Sequence, residues 1–376
     1  MFQPEYEYMI RWIRSILHEK IPPELPAELS FRKIYDLSLK HDLCNLVFYA
    51  VERLQRKPEE PLFSQWRTRK DLALSRDMNQ EFAREELVQA FQQKEIPFLE
   101  LQGTALKKLY PHTEYRTMSD LDFIIPLSRL NEGGEILRTL GYDITLQNAV
   151  EIEAKRIPNI YTEIHTEYFS RYIFLYKSMG EPNFSGDRSR EERLRELYLY
   201  NMLHVAKHYF YAGCGIRRVL DIYYLSTHYA QELESLNMEE EFQRAGILDF
   251  SHEITALAQD WFGEGELRLN ESLMAQRILG GSLHGDCDSF VRSRIAEVSG
   301  QSMFGFGAKC KYLLQRLFPM GRGMHLHYPV LKKWTICYPF CWVHRGFKLL
   351  FTGGLSGAVG ELRSVVKAKE DRRERH

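Results

Sequence analysis

The pattern of apolar residues changes twice along this chain, and this change constrains the fold most. Residues 97–169 contain short apolar runs broken by one segment of helical length, SRLNEGGEILRTLGY; the runs are FLELQ, DLDFII, DITLQ and YTEIHTEYF. Short runs of this kind predict strands, whereas the residues before and after them repeat with the period of a helix. We therefore expect an α+β fold, in which a small mixed β-sheet is flanked by N-terminal and C-terminal helical regions.

The same changes predict four regions. Helices are expected at residues 6–18, 31–53 and 63–93, which form an N-terminal helical region over residues 1–93. An α/β core follows over 94–188, a helical domain over 189–298, and a basic, aromatic C-terminal tail over 299–376. A chain of 376 residues is long enough for more than one packing unit.

Composition favours an intracellular protein. The six cysteines form no CxxC pair, and no apolar run reaches the ~18 residues of a membrane span. The first residues carry acidic side chains where a signal peptide needs basic ones. A formal net charge of -1 gives no general attraction to polyanions, so nucleic acid is not indicated. We expect a cytoplasmic location and reduced thiols.

Acidic residues on two predicted strands indicate a metal site. Asp120 and Asp122 are one residue apart in SDLDFIIP, so their carboxylates project from the same face of the strand. Two negative charges this close repel each other unless a cation lies between them, which favours a divalent metal; solvated acids at a strand end are the alternative. Glu163 and His165 share a face of the later strand in the same way, and Glu163 is the expected third carboxylate.

Phosphate-binding candidates lie just before the aspartates. Gly103 and Thr104 connect the strand-like FLEL to the helical ALKKLY. A glycine turn that leads into a helix offers backbone amides and a partial positive charge to a phosphate. Arg116, four residues before Asp120, has a planar guanidinium that can bind a phosphate oxygen.

The order of these motifs resembles the DNA polymerase β-like nucleotidyltransferase superfamily. The string LQGTALKKLYPHTEYRTMSDLDFII is similar to an uncharacterised nucleotidyltransferase family within it, and the resemblance covers about residues 96–225. The matching positions are Gly103, Tyr110, Pro111, Arg116, Asp120, Asp122, Glu163 and His165. The resemblance implies transfer of a nucleoside monophosphate from a nucleoside triphosphate such as ATP, with Mg²⁺ or Mn²⁺ as cofactor and an unknown acceptor. It also implies that Asp120, Asp122 and Glu163 are the catalytic metal ligands.

Two departures from the family pattern leave a second function open. Gln102 stands where the family usually has lysine, and Glu163 replaces the usual aspartate. Without the lysine, the chain could also be a non-catalytic nucleotide-binding or scaffold protein that keeps the nucleotidyltransferase fold. His165, together with residues on the following helices, is a candidate to face the substrate; those further candidates are His204, His208 and Asp221.

The C-terminal tail has the strongest local charge asymmetry. Residues 298–360 contain no Asp or Glu but eight Lys or Arg, interleaved with aromatic residues. This composition suits peripheral contact with an anionic membrane surface through residues 299–360, and it also suits nucleic acid or an ordinary helical tail that packs through its aromatics.

Overall fold

The chain forms two compact units. The first comprises Met1–Ala206 and Cys214–Leu283, and the second comprises Lys207–Gly213 and His284–His376. The computed structural model describes residues 3–169, 178–211, 213–269, 272–281, 306–320, 324, 328–351 and 365. Large parts of the predicted tail lie outside these ranges, namely residues 299–305, 321–323, 325–327, 352–364 and 366–376.

Four helices form the N-terminal region: α1 (Pro4–Leu17), α2 (Phe31–Lys40), α3 (Cys44–Val51) and α4 (Leu62–Gln93). The prediction of one helix over residues 31–53 is wrong, because Asp42 adopts a left-handed backbone conformation with φ 54°. The amide of Leu43 then donates to the carbonyl of Ser38, which closes the end of α2. Aspartate tolerates this conformation better than most residues, so the break needs no glycine.

Five short strands form one mixed sheet: β1 (Leu99–Glu100), β2 (Leu121–Ile124), β3 (Asp143–Gln147), β4 (Glu151–Arg156) and β5 (Ile160–His165). Their order is β1-β2-β5-β4-β3, and β2 pairs with β5 in parallel while the other pairs are antiparallel. The predicted α+β class with a small mixed sheet is confirmed. Strand β4 was not predicted, because its sequence EIEAKR offers only Ile152 and Ala154 as apolar residues.

Helices cover one face of this sheet. The core contains Phe123 and Ile164 from the strands, Leu137 from α6 (Leu130–Thr139) and Phe91 from α4. Gly133 permits the close approach of α6, because a Cβ atom there would lie 2.8 Å from Cδ1 of Ile125. The long helix α4 is therefore part of the core that supports the strands.

Further helices lie in the described parts of the chain. They are α5 (Gln102–Lys107), α7 (Arg190–Tyr211), α8 (Ile216–His228), α9 (Ala230–Leu236), α10 (Glu239–Arg244), α11 (Leu248–Phe262), α12 (Leu273–Gly280), α13 (Phe306–Leu317) and α14 (Tyr338–Phe351). Short 3₁₀ helices lie at Thr113–Tyr115, Leu127–Arg129, Pro329–Lys332 and Thr335–Cys337. Among the described residues, no helix combines the length and the apolar character that a membrane crossing requires.

A buried ion pair joins α8 to the loop that precedes β2. Arg116 donates from Nε to Oδ1 of Asp221 at 2.7 Å and from Nη2 to Oδ2 at 3.0 Å. The hydroxyl of Tyr110 donates to the same Oδ1 at 2.7 Å. Both charged side chains are buried. Both charges are removed from water, so each is stabilised mainly by the other.

This dependence predicts a large loss of stability on removing one partner. Asp221→Ala should lower the free energy of unfolding by about 3–5 kcal/mol, because Arg116 would stay buried without a counter-charge. Urea denaturation measures the loss, and Asp249→Ala, at an exposed aspartate on α11, is the control. The double variant Arg116→Met plus Asp221→Leu should lose less than Asp221→Ala alone. A loss below about 1 kcal/mol for Asp221→Ala would contradict a pair of this importance.

Candidate metal and nucleotide site

The parallel pairing of β2 with β5 brings the predicted acids together. The register sets Asp122 directly beside Glu163, and His165 lies two residues further along the same face of β5. Asp122, Glu163 and His165 each offer a ligand atom, and these atoms all lie within 4.8 Å of one another. Two carboxylate oxygens and an imidazole nitrogen at this spacing can hold a metal ion.

Strand β4 adds further negative charge to this side of the sheet. Its antiparallel register sets Glu153 beside Glu163 and Glu151 beside His165. Side chains of directly paired residues project to the same face, so five polar residues share it. The alternation of Glu151 and Glu153 along the sequence was the signal for this arrangement, and it was missed together with the strand.

His165 lies between the carboxylates. Its Nε2 is 3.3 Å from Oε2 of Glu163 and 3.7 Å from Oδ1 of Asp122. Burial on its own would lower the pKa of His165, but hydrogen bonding and the negative charges of the two carboxylates outweigh it and raise the pKa to about 10. Without a metal, His165 is therefore the cation that partly compensates these acids. As a metal ligand it would have to release this proton.

Asp120 is the residue immediately before β2. Burial raises its pKa to about 7, and the charges of Asp122 and Glu163 add to the shift, while Arg217 and His165 oppose it. The folded protein holds this proton more tightly than the unfolded chain does, so the contribution of Asp120 to stability falls as pH rises from 3.8 to about 7. At neutral pH the site therefore carries electrostatic repulsion that a divalent cation would relieve.

The predicted glycine turn is the first turn of the short helix α5. The amide of Leu101 donates to the carbonyl of Asp122 at 3.0 Å, so α5 begins beside the strand that carries Asp122. A Cβ atom on Gly103 would lie 2.7 Å from Sδ of Met118, so any other residue here would require the Met118 side chain to shift. Thr104 is buried. Any contact of these two residues with phosphate is therefore through the backbone.

Arg116 and Asp221, which were expected to face phosphate and substrate, are buried and hold each other through two hydrogen bonds. This arrangement favours a structural role for both residues. The remaining nitrogen of the guanidinium, Nη1, donates to the carbonyl of Gly103 at 3.4 Å. The sequence does not distinguish a ligand-binding role from an ion pair within the fold, and it is the burial of both side chains that favours the ion pair.

Asp120 and Glu163 open onto a cleft of about 360 Å³, which is also lined by Arg76, Ser119 and Tyr161. Arg76 belongs to α4, far from the motifs in sequence, and nothing in its surroundings along the chain indicated a role. Tyr161 carried a signal, because it precedes Glu163 by two residues and therefore shares its strand face. The cleft lies between α4 of the N-terminal helical region and the sheet.

Helices α7 and α8 carry further polar residues, which include the predicted His204. The ring of His204 stacks on Tyr200 with centroids 5.8 Å apart, and its Nδ1 lies 3.4 Å from Nη1 of Arg218. Arg217 is buried, forms an ion pair with Asp42 and donates to the carbonyl of Thr117 at 2.6 Å.

The other predicted histidine on α7 belongs to a different part of the molecule. His208 is half-buried and falls in Lys207–Gly213, a segment of the second unit, whereas His204 belongs to the first. A substrate-facing role for either histidine stays a prediction.

Comparison with known proteins decides the family. The family model described as uncharacterised nucleotidyltransferase matches residues 27–263, which is more than half of the chain. The chain belongs to this nucleotidyltransferase family. The match begins before α2 and ends after α11, so it includes α4 and Arg76 as well as the sheet. No curated protein and no solved structure matches the sequence at a level that establishes a relationship.

The charge of the site in this nucleotidyltransferase predicts a metal-dependent gain in stability. Mn²⁺ at about 100 times its Kd should stabilise the wild type by about 2.7 kcal/mol, measured by thermal denaturation against a sample with EDTA. Asp122→Asn should abolish this gain and should be at least as stable as the wild type without metal, because it removes repulsion from Glu163 and Asp120. Asp143→Asn, at an exposed position on β3, is the control. An equal gain in Asp122→Asn and wild type would exclude Asp122 as a ligand.

Proposed function

We propose that this chain transfers a nucleoside monophosphate from a nucleoside triphosphate to a hydroxyl or phosphate acceptor. The observation that carries the proposal is the cluster of Asp122, Glu163 and His165 on two paired strands, with Asp120 beside it in one cleft. Membership of the nucleotidyltransferase family supports the same reaction class. In this reaction the acceptor oxygen bonds to the α-phosphorus, and the bond from that phosphorus to pyrophosphate breaks.

Each acidic residue has a proposed role. Asp120, Asp122 and Glu163 hold Mg²⁺ or Mn²⁺, and His165 adds a ligand nitrogen or orients Glu163 through its contact at 3.3 Å. The bound ions would lower the pKa of the attacking hydroxyl and stabilise the charge that develops on the phosphate oxygens. We assign contact with the triphosphate to the backbone of Gly103 and Thr104, which is supported by the start of α5 beside β2.

Arg116 has a positioning role in this proposal. Because it holds Asp221 and Tyr110 on one side and the carbonyl of Gly103 on the other, it fixes the first turn of α5 relative to the loop before β2. Neither Arg116 nor Asp221 contacts the substrate in this arrangement. Their replacement would act through the fold.

The test uses triphosphates labelled at the α or the γ position. Each of the four nucleoside triphosphates, in either labelled form, is incubated with the protein, Mg²⁺ or Mn²⁺, and cell extract as a source of acceptors. Label should pass to an acceptor from the α position only, since γ transfer would indicate a kinase. Asp120→Ala plus Asp122→Ala should abolish the transfer, whereas the exposed control Asp143→Ala should retain it.

Other outcomes would decide against this function. Equal labelling by the double variant and the wild type would refute the assigned site. Metal-dependent binding of a triphosphate with no transfer in any extract would favour the non-catalytic nucleotide-binding alternative.

We also propose peripheral membrane contact through residues 299–360. The described part of this segment exposes large apolar side chains, with Trp334, Ile336 and Phe340 each more than 60% exposed. The same segment has eight basic residues and no acidic ones. Aromatic and basic side chains together favour the interface of an anionic membrane.

Vesicle flotation of the full chain tests this contact. Wild-type protein should float with vesicles that contain phosphatidylserine and should remain below vesicles of phosphatidylcholine alone. Trp334→Ser plus Phe340→Ser should reduce flotation severalfold, since it removes two exposed aromatic anchors. Leu72→Ser plus Phe82→Ser, at exposed apolar positions of α4, is the matched control. Flotation that is absent at low salt, or equal in both variants, would contradict membrane contact by this segment.

A further inference from the structure

Among the described residues, Arg76 is the one cationic side chain that lines the cleft beside the acids. A triphosphate brings negative charge to a place where Asp120 and Glu163 already supply two carboxylates. Metal ions offset part of this charge, and a guanidinium in the same cleft would bind the phosphate oxygens that the metals do not.

Four other basic residues near the site are engaged elsewhere. Each of them forms an ion pair with a carboxylate, and the pairs are Lys107 with Asp77, Arg116 with Asp221, Arg217 with Asp42, and Arg84 with Glu81 and Glu100. Lys107, Arg116 and Arg217 are also buried. Releasing any of the three for a ligand would leave a carboxylate of the fold without its counter-charge.

Arg76 differs from these residues. Its side chain is exposed, lines the cleft with Asp120 and Glu163, and forms no ion pair with any described residue. An exposed arginine without a carboxylate partner keeps its guanidinium available for a ligand. Its planar fork suits two phosphate oxygens at once.

The position of Arg76 is held by its neighbours on α4. Gln80, one turn later, is buried and donates from Nε2 to the carbonyl of Met118 at 3.1 Å, two residues before Asp120. Asp77 accepts a hydrogen bond from Oγ1 of Thr113 at 2.7 Å and pairs with the buried Lys107. These contacts tie α4 to the segment before β2, so the backbone of Arg76 stays at the mouth of the cleft.

Tyr161 provides a second surface in the same cleft. It lies two residues before Glu163 on β5, and its side chain is 49% exposed. A tyrosine ring that is half open to solvent beside a phosphate site can stack against a nucleobase.

We propose that Arg76 binds the triphosphate of the incoming nucleotide, and that Tyr161 stacks against its base. This inference rests on the proposed nucleotidyl transfer, since it names the residues that would hold that substrate. It assigns a binding role to Arg76 of α4, which precedes Asp120 by 44 residues.

Binding measurements separate the two contributions. The probes are inorganic tripolyphosphate and each of the four nucleoside triphosphates, added with Mn²⁺ and followed by titration calorimetry. Arg76→Ala should weaken tripolyphosphate and triphosphate alike by about 10- to 100-fold, as expected for loss of charge-assisted hydrogen bonds. Tyr161→Leu should weaken only the nucleoside triphosphates. Binding of Mn²⁺ alone should be unchanged in both variants.

Arg69 provides a matched control. It is an exposed arginine on the same helix, seven residues or about 10 Å earlier, so Arg69→Ala removes the same charge from nearly the same face. Arg69→Ala should leave all affinities unchanged, and Arg76→Lys should retain part of the affinity that Arg76→Ala loses. Equal losses in Arg69→Ala and Arg76→Ala would reduce the effect to general electrostatics and overturn the assignment.

Failure of this inference is distinguishable from failure of the proposed function. If wild type binds no tripolyphosphate with Mn²⁺, or if Arg76→Ala binds it as wild type does, the role of Arg76 is refuted even when α-label is still transferred. If Arg76 binds tripolyphosphate as expected but no extract yields transfer, the role of Arg76 stands and the catalytic proposal fails. A loss of tripolyphosphate binding in Tyr161→Leu would refute the stacking role.

Discussion

The parallel pairing of β2 with β5 is the interaction on which the site depends. Its register sets Asp122 beside Glu163, which places two like charges on adjacent strands. Direct pairing of like charges is unfavourable, so the sheet core beneath the strands must hold this arrangement against repulsion. Phe123 and Ile164 belong to that core, and on the same two strands they lie on the face opposite to Asp122 and Glu163. Apolar packing on one face of the sheet thus holds together the acidic cluster on the other face.

The second requirement is a fixed position for the elements around the cleft. Asp221 of α8 accepts hydrogen bonds from both Arg116 and Tyr110. Gln80 and Asp77 of α4 contact the segment that immediately precedes β2. Apart from the exposed contact of Asp77 with Thr113, these contacts use buried polar groups, which prefer one arrangement because a broken pair would leave a group without a partner. A site assembled from helices and strands far apart in sequence needs such directional contacts to keep its geometry.

Most of the sheet could be predicted because period-two alternation is a local property. The runs around Asp122 and Glu163 alternate clearly, and both proved to be strands. The pattern failed at β4, where charged residues alternate with only Ile152 and Ala154, and at Asp42, where a left-handed residue divides an apparently continuous helix. In both places the local sequence is compatible with more than one structure, and packing against neighbours selects one of them.

The sequence by itself determined that Asp120, Asp122, Glu163 and His165 lie at the strand edge of an α+β core, since strand geometry puts every second residue on one face. Only the tertiary structure decided which cations serve the fold and which one reaches the cleft. Arg116 and Arg76 are chemically identical, and no local pattern distinguishes them. Arg116 is buried against Asp221, whereas Arg76 lies open beside Asp120. Burial and partner choice depend on contacts between distant segments, and those contacts exist only in the folded chain.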